Sequence, residues 1–99
     1  MSWADDFVAN LPNAKMSVTA NGRPFISMGI DKNEFVEVRL TESVFELPFE
    51  VSFKRLNDLG QVVEQRSFGY ASTKLLAQKL ARDVALLRQN SREFVLDGE

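Results

Sequence analysis

The chain contains no histidine and no cysteine. Histidine is the side chain whose ordinary pKa lies nearest neutrality, and cysteine is the strongest side-chain nucleophile there. The two are also the usual ligands of zinc and other transition metals. Their joint absence excludes disulfides, thiol chemistry and the compact routes to zinc sites. It suits a reducing compartment, so the expected location is the cytoplasm. Glycine-rich phosphate loops are missing as well, because the five glycines stand singly. No apolar run nears the ~20 residues that cross a bilayer. The N-terminus (Met1, Ser2, Trp3, Ala4, Asp5, Asp6) is acidic and unlike a secretory signal. No enzyme activity, metal, cofactor or membrane partner is therefore expected.

Carboxylates are the remaining acid–base candidates. Pairs such as Asp31 with Glu34, or Glu37 with Glu50, fall where strands and turns expose them, and they read as solvated surface. The run Asp31-Lys32-Asn33-Glu34 opens like a calcium loop, but the glycine and the distal glutamate of such a loop are absent, so it reads as a hairpin turn.

Charge is split along the chain. Residues 1–50 carry eight acids and four bases, whereas residues 72–92 carry five bases and one acid, within an overall net charge of −2. Such a division either holds the two halves together or presents a bipolar surface that steers a charged partner.

Hydropathy patterning gives the elements. Trp3, Phe7 and Leu11 recur at helical spacing, with Ser2 as N-cap, Asp5 and Asp6 in the first turn, and Pro12 as terminator. From residue 15 the period becomes two. Met16, Val18 and Ala20 lead into Asn21-Gly22, which predicts a two-residue type I′ hairpin. Ile26, Met28 and Ile30 share one face of the return strand, and Val36, Val38 and Leu40 one face of the next. A looser stretch follows from Glu42 to Pro48. Phe49, Val51 and Phe53 then share a face, Asn57-Asp58-Leu59-Gly60 turns the chain, and a fifth strand runs from about Gln61 to Gly69.

After a Ser72 or Thr73 cap, the period becomes helical to about Asn90. Leu76, Leu80, Val84 and Leu87 form a stripe widened by Ala77 and Ala81. These features predict one α+β domain over 1–99: a five-stranded antiparallel β-meander (15–69), a short N-terminal helix (1–12), one long C-terminal helix (72–90) packed on one sheet face, and a C-terminal tail or short edge strand (93–99). The leucine stripe is expected to meet Val36, Val38, Val51 and Phe53.

Two surfaces are left over. Leu75, Lys79, Arg82 and Leu86 form a second stripe on the long helix, with Arg88 close by. They either receive Trp3, Phe7 and Leu11, with Asp5 or Asp6 meeting Lys79 or Arg82, or they face a partner. Phe25 and Phe35 point to the sheet's outer face. There they are covered by the N-terminal helix or the tail, or form a binding patch, or stack bases.

Residues 69–86 are similar to the strand-to-helix passage of double-stranded RNA-binding domains. Thr73 and Lys74 match its opening, and Ala77, Ala81 and Ala85 keep its alanine spacing. Leu75 and Gln78 stand where that family has further lysines, and the preceding meander has more strands than its fold. The resemblance implies nucleic-acid binding through the helix.

The functional expectation is a small non-enzymatic protein-binding domain: an inhibitor, adaptor or regulatory subunit that occludes a partner's surface. Its size and charge split would suit a bacterial or phage inhibitor. The partner is expected to be acidic, with a homodimer as another possibility. The alternative is a nucleic-acid module using Lys74, Lys79, Arg82, Arg88 and Arg92.

Overall fold

The computed structural model describes residues 3–41 and 48–98, with residues 90–98 as helical backbone. The elements are α1 (Trp3–Asn10), β1 (Ala14–Val18), β2 (Pro24–Asp31), β3 (Glu34–Leu40), β4 (Phe49–Leu56), β5 (Val62–Ala71) and α2 (Lys74–Gly98). The strands form one open five-stranded sheet in the order β1-β2-β3-β4-β5. Every pairing is antiparallel. This is the α+β meander that the two-residue period predicts. The Ser2 cap and most of the looser stretch before Pro48 lie outside the described residues.

Register sorts the strand residues into two faces. Met28, Val36 and Phe53 lie side by side across β2, β3 and β4, as do Ile26, Val38 and Val51. All six are essentially inaccessible to solvent. Both helices cover this inner face. Ala4, Phe7 and Leu11 of the α1 segment join the same core as Phe49, Ile26 and Met28. The Trp3 ring meets Phe7 edge-on at 5.2 Å and Phe49 at 5.4 Å. Leu11 still donates its N–H to the Phe7 carbonyl at 3.0 Å. Pro12 has no N–H to continue the ladder, so the helix stops there.

The long helix sits differently from expectation. Its inward residues are Ala77, Ala81 and Val84, whereas Leu76 and Leu87 are 52% and 55% exposed. Leu80 is only partly buried. The leucine stripe is therefore rotated away from the sheet. Val36, Val38 and Val51 share the core with Ala77, Ala81 and Val84 in its place, and Phe53 lies against the Arg88 guanidinium. The inner face already holds Met28, Phe49 and Phe7, so small side chains are what let α2 approach.

The helix also continues to Gly98, where a tail or edge strand is expected over 93–99. Neither glycine nor proline interrupts the chain between Lys74 and Leu96, so Asn90 and Ser91 alone do not end the helix.

The first hairpin differs in turn type. Thr19 donates its N–H to the Arg23 carbonyl (2.8 Å), and Gly22 donates to the Thr19 carbonyl (2.9 Å). Gly22 has φ of 81°, but Asn21 has no positive φ. The loop therefore has three residues, Ala20 to Gly22, with only the last left-handed, rather than a two-residue type I′ turn. The β4–β5 turn repeats the design. Gly60 (φ 80°) donates to the Asn57 carbonyl, and Asn57 Oδ1 accepts from the Leu59 and Gln61 N–H groups. Gly22→Val is expected to destabilise the protein by about 1–2 kcal/mol, because an L side chain resists this backbone region. Urea denaturation checks this, and an unchanged midpoint would show that the loop tolerates another conformation.

Candidate functional site

The α2 helix starts at a cap that the sequence supplies. Thr73 Oγ1 accepts the Leu76 N–H (3.2 Å), and the Thr73 carbonyl accepts the Ala77 N–H (3.0 Å). With Ala77, Ala81 and Val84 turned to the sheet, the helical repeat places Leu75, Lys79, Arg82 and Leu86 on the side facing directly away. Leu75 is 76% exposed and Leu86 56%. The exposed Leu76, Asp83 and Leu87 run alongside. Four leucines thus border a small charged centre on one exposed helix face. The sequence pattern identifies Leu75 and Leu86 as surface candidates but places Leu76 and Leu87 in the core. The alanine spacing at 77, 81 and 85 is the signal that would have moved them outward.

The N-terminal helix does not cover this face. Phe7 and Leu11 are buried in the sheet-side core, and Asp6 pairs with Lys74 (2.6 Å) rather than with Lys79 or Arg82. Lys79 pairs with Asp83 along the helix (2.9 Å). Arg88 is a packing residue: its guanidinium lies 4.3 Å from the Phe53 ring centroid and 3.9 Å from Glu34. Arg82 is left. Among the described residues it has no ion pair or hydrogen bond. The side chain of Arg92 lies outside the described residues.

Grooves flank the exposed ridge. One of about 320 Å³ runs between α2 and the end of β5, with Tyr70, Leu76, Leu80 and Asp83 among its walls. The other, of about 200 Å³, lies between α2 and the α1–β1 turn. Pro12, Met28, Ala85 and Leu86 give it an apolar lining, and Arg82 and Gln89 stand in its wall. Pockets that hold drug-sized ligands are about 300–1,000 Å³ and mostly enclosed. The second groove has room for a side chain rather than for an organic cofactor.

The outer sheet face has neither helix on it. Phe25 and Phe35 are half-buried there, and Arg39 lies over the Phe25 ring at 5.3 Å. Between them is Glu37, which reads from sequence as solvated surface but is 5% exposed. Its carboxylate accepts from Arg39 (3.1 Å), two residues along β3, and from Lys54 (3.0 Å) on the neighbouring β4, both on the same face. Burial of one carboxylate between two cations organises this face around an internal ion cluster. The acid removes the positive charge that a base-stacking platform would need for phosphates.

No group of three or more Asp or Glu that could hold a metal ion occurs among the described residues. No helix among them is long and apolar enough to cross a membrane. No protein-family model, curated protein or solved structure matches the chain.

Proposed function

We propose that the protein is a non-enzymatic binding domain, an inhibitor, adaptor or regulatory subunit, that acts by occupying a partner's surface with the outward face of α2. The observation that carries this reading is the exposure of Leu75, Leu76, Leu86 and Leu87 on a helix already seated by Ala77, Ala81 and Val84. Scattered surface leucines need no explanation. Four on one helix face, bordering a cation, have the composition of an interface core. The internal pairing of Lys74, Lys79 and Arg88 leaves little free positive charge for a phosphate backbone. That supports a protein partner over nucleic acid. A cysteine-free surface fits work in the cytoplasm.

The double change Leu75→Ser with Leu86→Ser tests the proposal. Both side chains are mostly exposed, so thermal stability should stay close to that of the parent. Retention of native binding proteins from cell lysate should fall to the level of a blank resin. Equal retention of the same proteins by parent and variant would overturn the role of this face. So would tight, steeply salt-dependent binding to a random-sequence duplex.

A further inference from the structure

We infer that the partner presents an acidic amphipathic helix, which lies antiparallel along α2 with a carboxylate on Arg82 and an apolar side chain in the cleft between α2 and the α1–β1 turn. The inference rests on the binding role proposed for α2 and adds the chemistry of what it binds.

The positive charge available on this face is narrowly placed. Lys74 and Lys79 each have an acid within the molecule, and Arg88 is held between Phe53 and Glu34. Arg82 has none among the described residues, and it stands in the wall of the 200 Å³ cleft. A guanidinium beside an apolar cleft matches a carboxylate beside an apolar side chain, and a planar fork can hold that carboxylate by two parallel bonds. The cleft floor of Met28, Ala85 and Pro12 offers an apolar anchor the burial that interface energetics favour.

Spacing argues for a helix and against a second copy of this chain. Leu75, Lys79, Arg82 and Leu86 are separated by four, three and four residues, the seam along which two helices pack. If two copies paired antiparallel through this seam, Leu75 of one would meet Leu86 of the other. The same alignment would set Lys79 of each copy against Arg82 of its mate. Like charges facing at the centre of an interface oppose association. A helix carrying a carboxylate at that central position turns the clash into an ion pair, with leucines meeting at either end. Helices that bind by laying an apolar face into a groove use this arrangement.

A synthetic helical peptide serves as the probe. It carries a leucine, a glutamate four residues on and a second leucine eleven residues on from the first, mirroring the spacing of Leu86, Arg82 and Leu75. Its neutral counterpart has glutamine for glutamate, and a scrambled peptide is the blank. The full chain should bind the glutamate peptide more tightly than the scrambled one. Arg82→Glu should weaken that binding on the order of tenfold, whereas Lys79→Glu, which changes net charge equally, should weaken it far less. A peptide with lysine for glutamate should restore binding to the Arg82→Glu protein. Amide spectra of both variants confirm that each is folded, and shifts of the Met28 and Leu86 methyl signals locate the peptide. Binding no tighter than the scrambled peptide, or equal weakening by Arg82→Glu and Lys79→Glu, would overturn the inference. If Leu75→Ser with Leu86→Ser abolishes retention of native proteins while the peptide fails, the α2 interface stands and only the acidic-helix partner falls.

Discussion

Phe7→Ala is expected to destabilise the protein by about 3–5 kcal/mol, the range for truncating an aromatic ring inside a packed core. Phe7 has no accessible surface. Its ring lies 5.2 Å from Trp3 and 5.6 Å from Phe49 by centroid, so it joins α1 to the start of β4. A helix of eight residues has no stability of its own in water. Once Phe7 is lost, α1 is held by Ala4, Leu11, the Trp3–Phe49 ring contact and the exposed Asp6–Lys74 pair, and exposed pairs contribute only about 0–1 kcal/mol. Detachment would uncover Ile26 and Met28. Guanidinium denaturation measures the effect, with Val8→Ala on the outer side of the same helix as the comparison. Val8 is 39% exposed and lies outside the core cluster, so its change should stay within about 1 kcal/mol. Equal costs for the two substitutions would show that α1 does not close the core.

Ala81→Leu is expected to cost about 1–3 kcal/mol, while Leu87→Ala costs less than about 1 kcal/mol. This inverts the usual ranking, in which removing a leucine hurts and adding one is mild. The reason is position. Ala81 is wholly buried between α2 and the sheet, and Leu87 is more than half exposed. Added methylenes at position 81 must push α2 off the sheet or force neighbouring rotamers out of their wells. Thermal and chemical denaturation of the two variants decide the matter together. A neutral Ala81→Leu beside a costly Leu87→Ala would mean that the leucine stripe faces inward and that the proposed binding face does not exist.

The strands were legible because period-two alternation and turn residues agree at each step. Val36, Val38 and Leu40 fall on one face, as do Phe49, Val51 and Phe53, and Gly22 and Gly60 mark turns that do occur. The α2 facing was not legible from side-chain size. Reading Leu76 and Leu87 as core treats hydrophobicity as the measure of burial. In this fold the space between helix and sheet is set by what the sheet and α1 already place there. Ala77 and Ala81 fit that space, and the larger leucines turn outward. The turn type at Asn21-Gly22 depends on which residues close the ladder, and Thr19 with Arg23 closes it one residue further out than the dipeptide suggests. Glu37 reads from sequence as solvated because a charged residue on an uncovered sheet face ordinarily is. Arg39 stands two residues along the same strand, but only the cross-strand position of Lys54 reveals that the carboxylate is enclosed. Of the surface candidates, Leu75, Arg82 and Leu86 were legible as an unclaimed helical stripe. The cleft beside them was not, since it joins residues from Pro12 to Gln89 that only the tertiary structure brings together.

Strand order equal to chain order has a consequence for how the molecule forms. Each strand pairs with the one synthesised just before it, so the sheet can extend by closing short loops one after another, each at small entropic cost. The helix that emerges first is an exception. Trp3 and Phe7 have no seat until Phe49 has emerged, and Asp6 lacks its partner until Lys74, sixty-eight residues later, has been made. On the ribosome α1 is therefore made well before the strand that seats it. The aromatic side chains of α1 stay accessible to chaperones or to other nascent chains until β4 has emerged.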